Sequence, residues 1–362
     1  MIEAFVLTPQ EKPRWRQPLK HLFDDFFPKA TTHYEWHDEP IPFDVMETAI
    51  AQGIIQAVMA WDAVTQEPLA FMLFSLESHR AIEITLVHMP ALLASEDDIT
   101  SWKTTFDALM TAFLAHIVTL PGWDCVSYAL LGVQERLVLM TPWYGLKPVG
   151  QTIQVFDFTN QLALPLLAKQ QHVLPPLTGG VRTRAWQPSD RKQMPQLIAK
   201  AFRKQSDALW DPRFRSPEGV EQVLRLFDEG VMGKHLTQCT TMLTDGEGMF
   251  EMPIGFCFFL NSQFSKANIP LIGIDPDFQR QGLGKQLLCA SMVRLVEEVR
   301  AGRLLVQTVD ATVDTENVRA LNMYRRIGFQ ETHTYPHAYL NRDTLAKSYY
   351  GKRFAKDMVP GA

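Results

Sequence analysis

Cysteine is scarce in this 362-residue chain. Its four cysteines, Cys125, Cys239, Cys257 and Cys289, form no CxxC pair and show no zinc-ligand spacing. That excludes a disulfide framework and gives no expectation of a metal. Cys125, Cys257 and Cys289 lie in apolar runs, where a buried free thiol is the expected state, and a reducing, cytoplasmic compartment fits. Long hydrophobic runs are absent too. No stretch approaches the roughly 20 apolar residues of a membrane helix, and the opening "MIEAFVLTPQEKPRWRQ" lacks the continuous apolar core of a secretory signal. No membrane association is expected. Basic charge is not in surplus either: the net charge is −5 and the isoelectric point about 6.1, which argues against a nucleic-acid partner.

What is present is ordinary globular composition. Apolar residues make up 46% and charged residues 21%, enough for more than one core in a chain of this length. At roughly 100–200 residues per domain, two domains are expected. The clearest break is "LLAKQQHVLPPLTGGVRTRAW", punctuated by Pro175, Pro176, Gly179 and Gly180. The expected division is therefore 1–165, a linker over 166–180, and 181–362.

The second half reads in order as strand, two helices, a hairpin of two strands, a third strand, a helix, a strand, a helix and a closing strand. "VRTRAW" alternates as a strand. "PSDRKQMPQLIAKAFRKQ" places Leu197, Ile198, Ala201 and Phe202 on one helical face after a cap at Ser189 or Asp190. "LTQCTTML", "FEMPIGFCFFL", "NIPLIGID" and "RLLVQTVD" read as strands. "LGKQLLCASMVRLVEEVRA" and "TENVRALNMYRRIG" read as helices, the second stopped by Gly328.

Between the third strand and the first of these helices lies "IDPDFQRQGLGKQLL". A turn of small residues entering a helix exposes backbone N–H groups and the positive end of the helix dipole, which suits a phosphate. Gly282 and Gly284 remove side chains that would block approach, and Arg280 and Lys285 can add charge. Two better-known phosphate loops do not fit. Lys285 is followed by Gln286 rather than Ser or Thr, and Leu287 stands where a third dinucleotide-loop glycine would be.

The segment "PDFQRQGLGK" resembles the acyl-CoA pyrophosphate motif of the GNAT acyltransferase superfamily, Gln/Arg-x-x-Gly-x-Gly/Ala, through Gln279, Gly282 and Gly284. Downstream, "NVRALNMYRRIGF" is similar to the family's second signature, through Asn317, Ala320, Tyr324, Gly328 and Phe329. The resemblance covers roughly residues 181–340. It implies an N-acyltransferase, most simply moving acetyl from acetyl-CoA (or another acyl-CoA) to a small-molecule or peptide amine by direct attack in a ternary complex, without a metal. The strand ending at Ile274 would splay from "LLVQTV". The pantetheine would pair with backbone near Ile272 and Ile274, and the pyrophosphate would sit on the amides of Gln279, Arg280, Gln281, Gly282, Leu283, Gly284 and Lys285. Asn317 would flank the cofactor, Tyr324 would protonate the departing thiolate, and an N–H near Ile274 would stabilise the oxyanion.

The base is not legible. Some family members use a glutamate near the position of Asn268, which cannot serve; Asp275, Asp310, Glu247 and Glu251 are candidates by location only. The missing glutamate supports an alternative, a non-catalytic acyl-CoA sensor or scaffold. Arg319, Arg325 and Arg326 read as a solvated face. The mild acidity of the chain slightly favours a cationic amine acceptor.

The first half echoes the second. "IIQAVMAWD", "LAFMLFSLE" and "AIEITLVHM" read as strands, and "ITSWKTTFDALMTAFLAHIV" as the long helix. "QERLVLMTPWYGL" then corresponds to "NVRALNMYRRIGF", with Gln134 against Asn317, Arg136 against Arg319, Thr141 against Tyr324 and Leu146 against Phe329. In the slot of the glycine loop stands "PALLASEDD", without glycine and with Glu96, Asp97 and Asp98. The expected architecture is α/β (α+β): two tandem GNAT-like domains, each a mixed, mostly antiparallel sheet flanked by helices. The first would lack a cofactor site, and would shape the acceptor site or form a homodimer surface.

Overall fold

The structure, a computed structural model, describes residues 1–35, 41–77, 80–94, 99–174, 177–263 and 265–347. The chain divides into two compact units, Met1–Val149 with Tyr335–Ala362, and Gly150–Thr334.

In unit 1, β1 (Ile2–Val6) is followed by α1 (Lys12–Phe26), α2 (Ala30–Tyr34) and α3 (Phe43–Ala51). Then come β2 (Gln56–Asp62), β3 (Pro68–Leu76), β4 (Ala81–His88), α4 (Pro90–Ala94), α5 (Ile99–Ile117) and β5 (Cys125–Ala129). β1 to β4 pair antiparallel in sequence order. β4 and β5 are parallel, but only from Ala81↔Cys125 to Ile84↔Tyr128. Residues 337–341 add a last antiparallel strand beside β5. Alternate residues of β2 and β3 feed two cores: Val58, Ala60, Met72 and Phe74 pack with α5, and Ala57, Met59, Phe71 and Leu73 pack with α1 to α3. A sheet covered on both faces needs unbroken apolar strands, so "AVMAW" and "AFMLF" show no polar alternation.

Unit 2 opens within β6 (Lys147–Asp157), followed by α6 (Ala163–Val173), β7 (Arg182–Ala185), α7 (Met194–Phe202), α8 (Asp207–Trp210) and α9 (Pro217–Asp228). Six strands follow: β8 (Lys234–His235), β9 (Thr241–Asp245), β10 (Met252–Cys257), β11 (Leu260–Gln263), β12 (Lys266–Asn268) and β13 (Ile272–Ile274). α10 (Leu283–Arg300), β14 (Thr308–Asp314), α11 (Val318–Ile327), β15 (Gln330–Asn341) and α12 (Arg342–Lys347) complete the chain; residues from Tyr335 onward belong to unit 1. One sheet of unit 2 runs β6-β14-β12-β11-β8, and a second runs β13-β10-β9-β7.

Several expected elements sit elsewhere. The segment read as linker, 166–180, contains most of α6, and Ala163 and Leu167 are buried in the core of unit 2 with Phe329 and Leu295. Compactness thus divides the chain at 149/150. The strand expected over "RLLVQTVD" begins only at Thr308: Gln307 already bonds to Ser265 and Phe158, but Leu305 before it is 80% exposed. Before α7, Asp190 closes a capping box with Gln187 rather than serving as the cap, and Arg184 grips its carboxylate through both nitrogens at 2.7 and 2.6 Å. The helix expected over "QERLVLMTPWYGL" is two 3-10 segments, Gly132–Leu139 and Thr141–Tyr144, since Pro142 has no N–H to continue an α-helix.

Gly328 ends α11 with φ +118, and a β-carbon there would lie 2.9 Å from the Ala163 oxygen and 3.1 Å from the Phe156 ring. Gly328→Ala is expected to cost roughly 1–3 kcal/mol through backbone strain and crowding, read as a lower urea midpoint with an unchanged slope.

Candidate active site

The site starts from one strand leaving its neighbour. β12 runs parallel to β14 from Lys266↔Thr308 to Asn268↔Asp310, and the Ile269 N–H still reaches the Asp310 oxygen at 2.8 Å. Pro270 then interrupts the ladder, having no N–H to give. After it the chain joins the other sheet as β13, paired with β10 on one edge, while β14 stays beside β6 along its whole length. A gap opens between the two.

Register fixes what faces that gap. Phe258 donates to the Leu271 oxygen at 2.9 Å and Asp275 donates to the Ile254 oxygen at 2.8 Å. In an antiparallel pair the bonded residues alternate, so Gly273 also bonds toward β10, and the N–H and C=O of Ile272 and Ile274 point the other way. The Ile274 oxygen is taken by the Gln279 side chain, which donates to it at 3.0 Å. The Ile272 and Ile274 N–H groups remain.

Past the strand, Asp275 accepts from the Asp277 amide, and Gly282 with φ +79 caps α10. The amides of Gly282, Leu283, Gly284 and Lys285 find no acceptor among the described residues. A β-carbon on Gly282 would meet nothing within 4 Å, and one on Gly284 only Met323 sulfur at 3.6 Å and Ile274 at 3.8 Å. Arg280 and Gln281 are exposed, and neither Arg280 nor Lys285 has an ion-pair partner among the described residues. Bare amides, an open cradle and two unpaired cations fit a pyrophosphate.

Met323 brings α11 against the start of α10, and with it Tyr324, 2% exposed, its ring 4.9 Å from Phe329 and edge-on. Burial first, then the Cys257 thiol and the Asp207 carboxyl, push the Tyr324 hydroxyl well above its usual range, so it holds its proton at physiological pH. Asn317 sits at the head of α11 and accepts from the Ala320 amide at 3.1 Å, which leaves its amide nitrogen as the available donor. Arg319, Arg325 and Arg326 are exposed.

The four carboxylates named by location are all engaged. Asp310 pairs with Lys266 at 3.0 Å and accepts from Asn268 at 3.2 Å. Asp275 pairs with Lys200 at 2.8 Å, Glu251 with Arg184 at 2.6 Å, and Glu247 with Arg182 at 3.9 Å. One carboxylate that sequence reasoning passed over is different. Asp207, on α8, is half-buried and has no cation partner among the described residues. Burial raises its carboxyl to about 6 against a hydrogen bond from its own amide, and the Asp314 and Asp211 carboxylates add to the rise. It lies within electrostatic reach of Tyr324. Nothing in "KQSDALW" signals this, because the shift comes from tertiary neighbours.

Unit 1 has the same divergence and a different content. Beyond Ile84, β4 has no parallel partner, yet its Val87 N–H is occupied: the Gln134 side-chain oxygen accepts from it at 2.8 Å and from the Tyr128 hydroxyl at 2.9 Å. Gln134 is 2% exposed. Glu96, Asp97 and Asp98 fall outside the described residues.

Comparison with known proteins agrees with this geometry. The family model for the acetyltransferase (GNAT) domain matches residues 242–331, which hold β9 to α11 and the glycine turn. The chain carries a GNAT acetyltransferase domain. A mycothiol acetyltransferase of Propionibacterium freudenreichii subsp. shermanii is 33% identical over 69 residues, which are 19% of this chain and 20% of that protein. The match therefore spans about a fifth of that relative. A GCN5-related N-acetyltransferase from Sphaerobacter thermophilus shares the fold over 94% of this chain and 95% of its own, with a TM-score of 0.54 at 12% identity. A glucosamine N-acetyltransferase region of a fungal multi-domain GH3 beta-N-acetylglucosaminidase also shares it, with a TM-score of 0.53 at 11% identity over 94% of this chain and 38% of that one. A mixed α/β GNAT fold accounts for nearly the whole chain. Among the described residues no group of side chains is placed to hold a metal, and no helix is long and apolar enough to cross a membrane.

Gln134→Leu is expected to leave the Val87 N–H and the Tyr128 hydroxyl buried without a partner. The cost should be about 1–3 kcal/mol by urea unfolding, with acetyl-CoA affinity unchanged.

Proposed function

We propose that the chain is an acyl-CoA-dependent N-acyltransferase, in the simplest case an acetyltransferase, acting on a primary amine by direct attack in a ternary complex. The observation that carries this reading is the pairing of an open strand edge, Ile272 and Ile274, with four unclaimed amides from Gly282 to Lys285. The edge suits the amides of a pantetheine chain, and the glycine turn suits a pyrophosphate. Bound there, acyl-CoA would supply an activated thioester.

The chain's own groups divide the remaining work. The Ile274 N–H is directed toward developing negative charge in the gap. An alkylamine titrates near 10 and is mostly protonated at pH 7, so attack requires a base. Asp207, titrating at about 6, is ionised at pH 7 and receives that proton. Tyr324 keeps its proton at the hydroxyl oxygen for the departing thiolate.

The first unit is read as a copy of the same fold without a cofactor seat. Its support is the shared divergence of a parallel strand pair, and the Gln134 side chain occupying the N–H group that stays open in unit 2. Its domain would shape the acceptor site or mediate a homodimer. A cytoplasmic location is part of the same reading.

Calorimetric titration with acetyl-CoA should show binding; none at millimolar concentration would end the transferase reading. Gly282→Val, which strains a left-handed residue by about 1–2 kcal/mol and fills the cradle, should weaken binding by about tenfold or more. Binding without turnover against a broad amine panel would favour the sensor instead.

Tyr324→Phe should lower kcat more than acetyl-CoA affinity. In the wild type, kcat/KM should rise with pH through about 6 as Asp207 loses its proton. Asp207→Asn should lower the rate by about 100-fold, within the range for general-base catalysis, and abolish that limb. An unchanged limb would remove Asp207 from the role.

A further inference from the structure

A cavity of about 460 Å³ opens in unit 2 between α7, α9 and the start of the loop after β13. Its wall carries Lys200, Arg203, Lys204 and Arg215, and Pro276 and Gln279 contribute the loop side. Residues 280–285 do not line it, although Gln279, at the start of the glycine turn, does. Its position relative to the strand is set by Ala201, also in the wall, which would lie 3.2 Å from a β-carbon on Gly273.

The charge inside is one-sided. Lys200 is more than neutralised, since Asp275 holds it at 2.8 Å and Asp277 at 2.6 Å. Arg203 and Lys204 have no ion-pair or hydrogen-bond partner among the described residues. Arg215 is fixed in place by its contacts, among them donation to the Ala208 oxygen at 2.7 Å and the Leu209 oxygen at 3.1 Å. Pro217, the first residue of α9, also lines the wall, but that helix start is already capped, the Ser216 hydroxyl accepting from the Gly219 amide at 3.2 Å. No carboxylate lines the cavity itself.

We propose that this cavity receives an anionic group, a carboxylate or a phosphate, carried by the acceptor beside its amine. The proposal rests on the transferase reading above and narrows its acceptor class. It departs from the net charge of −5, which by itself favours a cation. The local field at the cavity is set by Arg203, Lys204 and Arg215 against the single excess carboxylate at Lys200, and outside a Debye length of about 8 Å the rest of the surface is screened. A bifunctional acceptor resolves the two signs: its ammonium end gives its proton to Asp207, the base proposed above, and its anionic end meets the cations of the cavity wall.

The test uses the full chain and the double variant R203Q/K204Q, whose two side chains are exposed and unpartnered, so folding should be unaffected. Inorganic phosphate titrated calorimetrically should bind the wild type and lose affinity in the variant. Equal binding in both would overturn the proposal, and this readout needs no turnover, so it stands apart from failure of acetyl-CoA to bind. In acetyl transfer, O-phosphoethanolamine should be preferred over ethanolamine. The variant should raise KM for the former by about tenfold or more, the size of a lost charge-assisted hydrogen bond, and leave ethanolamine and acetyl-CoA unchanged. If the variant weakens acetyl-CoA but not 3′-dephospho-acetyl-CoA, the cavity serves the cofactor's own phosphate and the proposal fails. Equal use of the two amines would also overturn it.

Discussion

A parallel strand pair that comes apart is the constraint on which the site depends. Between Lys266 and Asn268 the chain is an ordinary ladder partner of β14; after Pro270 it belongs to another sheet. A backbone edge without a partner is costly when buried and useful when a ligand can complete it. The backbone groups suited to a ligand in unit 2 sit along that edge or at its end. Ile272 and Ile274 offer N–H groups, Gln279 ties the Ile274 oxygen to the following loop, and Gly282 turns the chain into α10 with its first amides exposed. The hydrogen bond from Gln279 links strand edge and turn mechanically, so the motif glutamine has a structural job whatever it does to a ligand.

In unit 1 the parallel pairing of β4 with β5 also stops short, at Ile84, and there the N–H beyond it is satisfied from within. In unit 1 the answer is internal: one side-chain oxygen, that of Gln134, serves both Val87 and Tyr128. A buried amide that satisfied leaves nothing for a ligand to gain by entering. In unit 2 the Ile272 and Ile274 N–H groups have no acceptor among the described residues, and the neighbouring turn carries Arg280 and Lys285. A ligand there replaces water instead of displacing a protein bond, which is the energetic difference between a seat and a plug.

The sequence carried the parts of this that are local. Gly282 and Gly328 both adopt left-handed backbone, which only glycine enters cheaply, so their positions were readable as turn and stop. The long helices α5 and α10 were readable from apolar spacing. Parts fixed by distant contacts were not. The break at 149/150 is invisible because β6 has an unbroken strand pattern across it, while Pro175 and Pro176 advertise a boundary where α6 is already docked on the unit 2 core. Pro142 could have warned against an α-helix in the first half, but the echo of "NVRALNMYRRIGF" argued the other way. Asp207 has no motif; what sets it apart is burial without a cation partner among the described residues, a property of three-dimensional neighbours.

Asp207 and Tyr324 are more than two residues with separate tasks. The negative charge of Asp207 is one of the causes holding the Tyr324 proton, behind burial and Cys257. In the proposed reaction Asp207 takes a proton when the amine attacks. Its charge then vanishes, and its contribution to the Tyr324 shift vanishes with it. The hydroxyl becomes a stronger acid at the step where the thiolate needs a proton. Two groups that would otherwise act independently are thereby ordered in time by their mutual electrostatics. Burial strengthens the effect, because the same separation in water would screen it away.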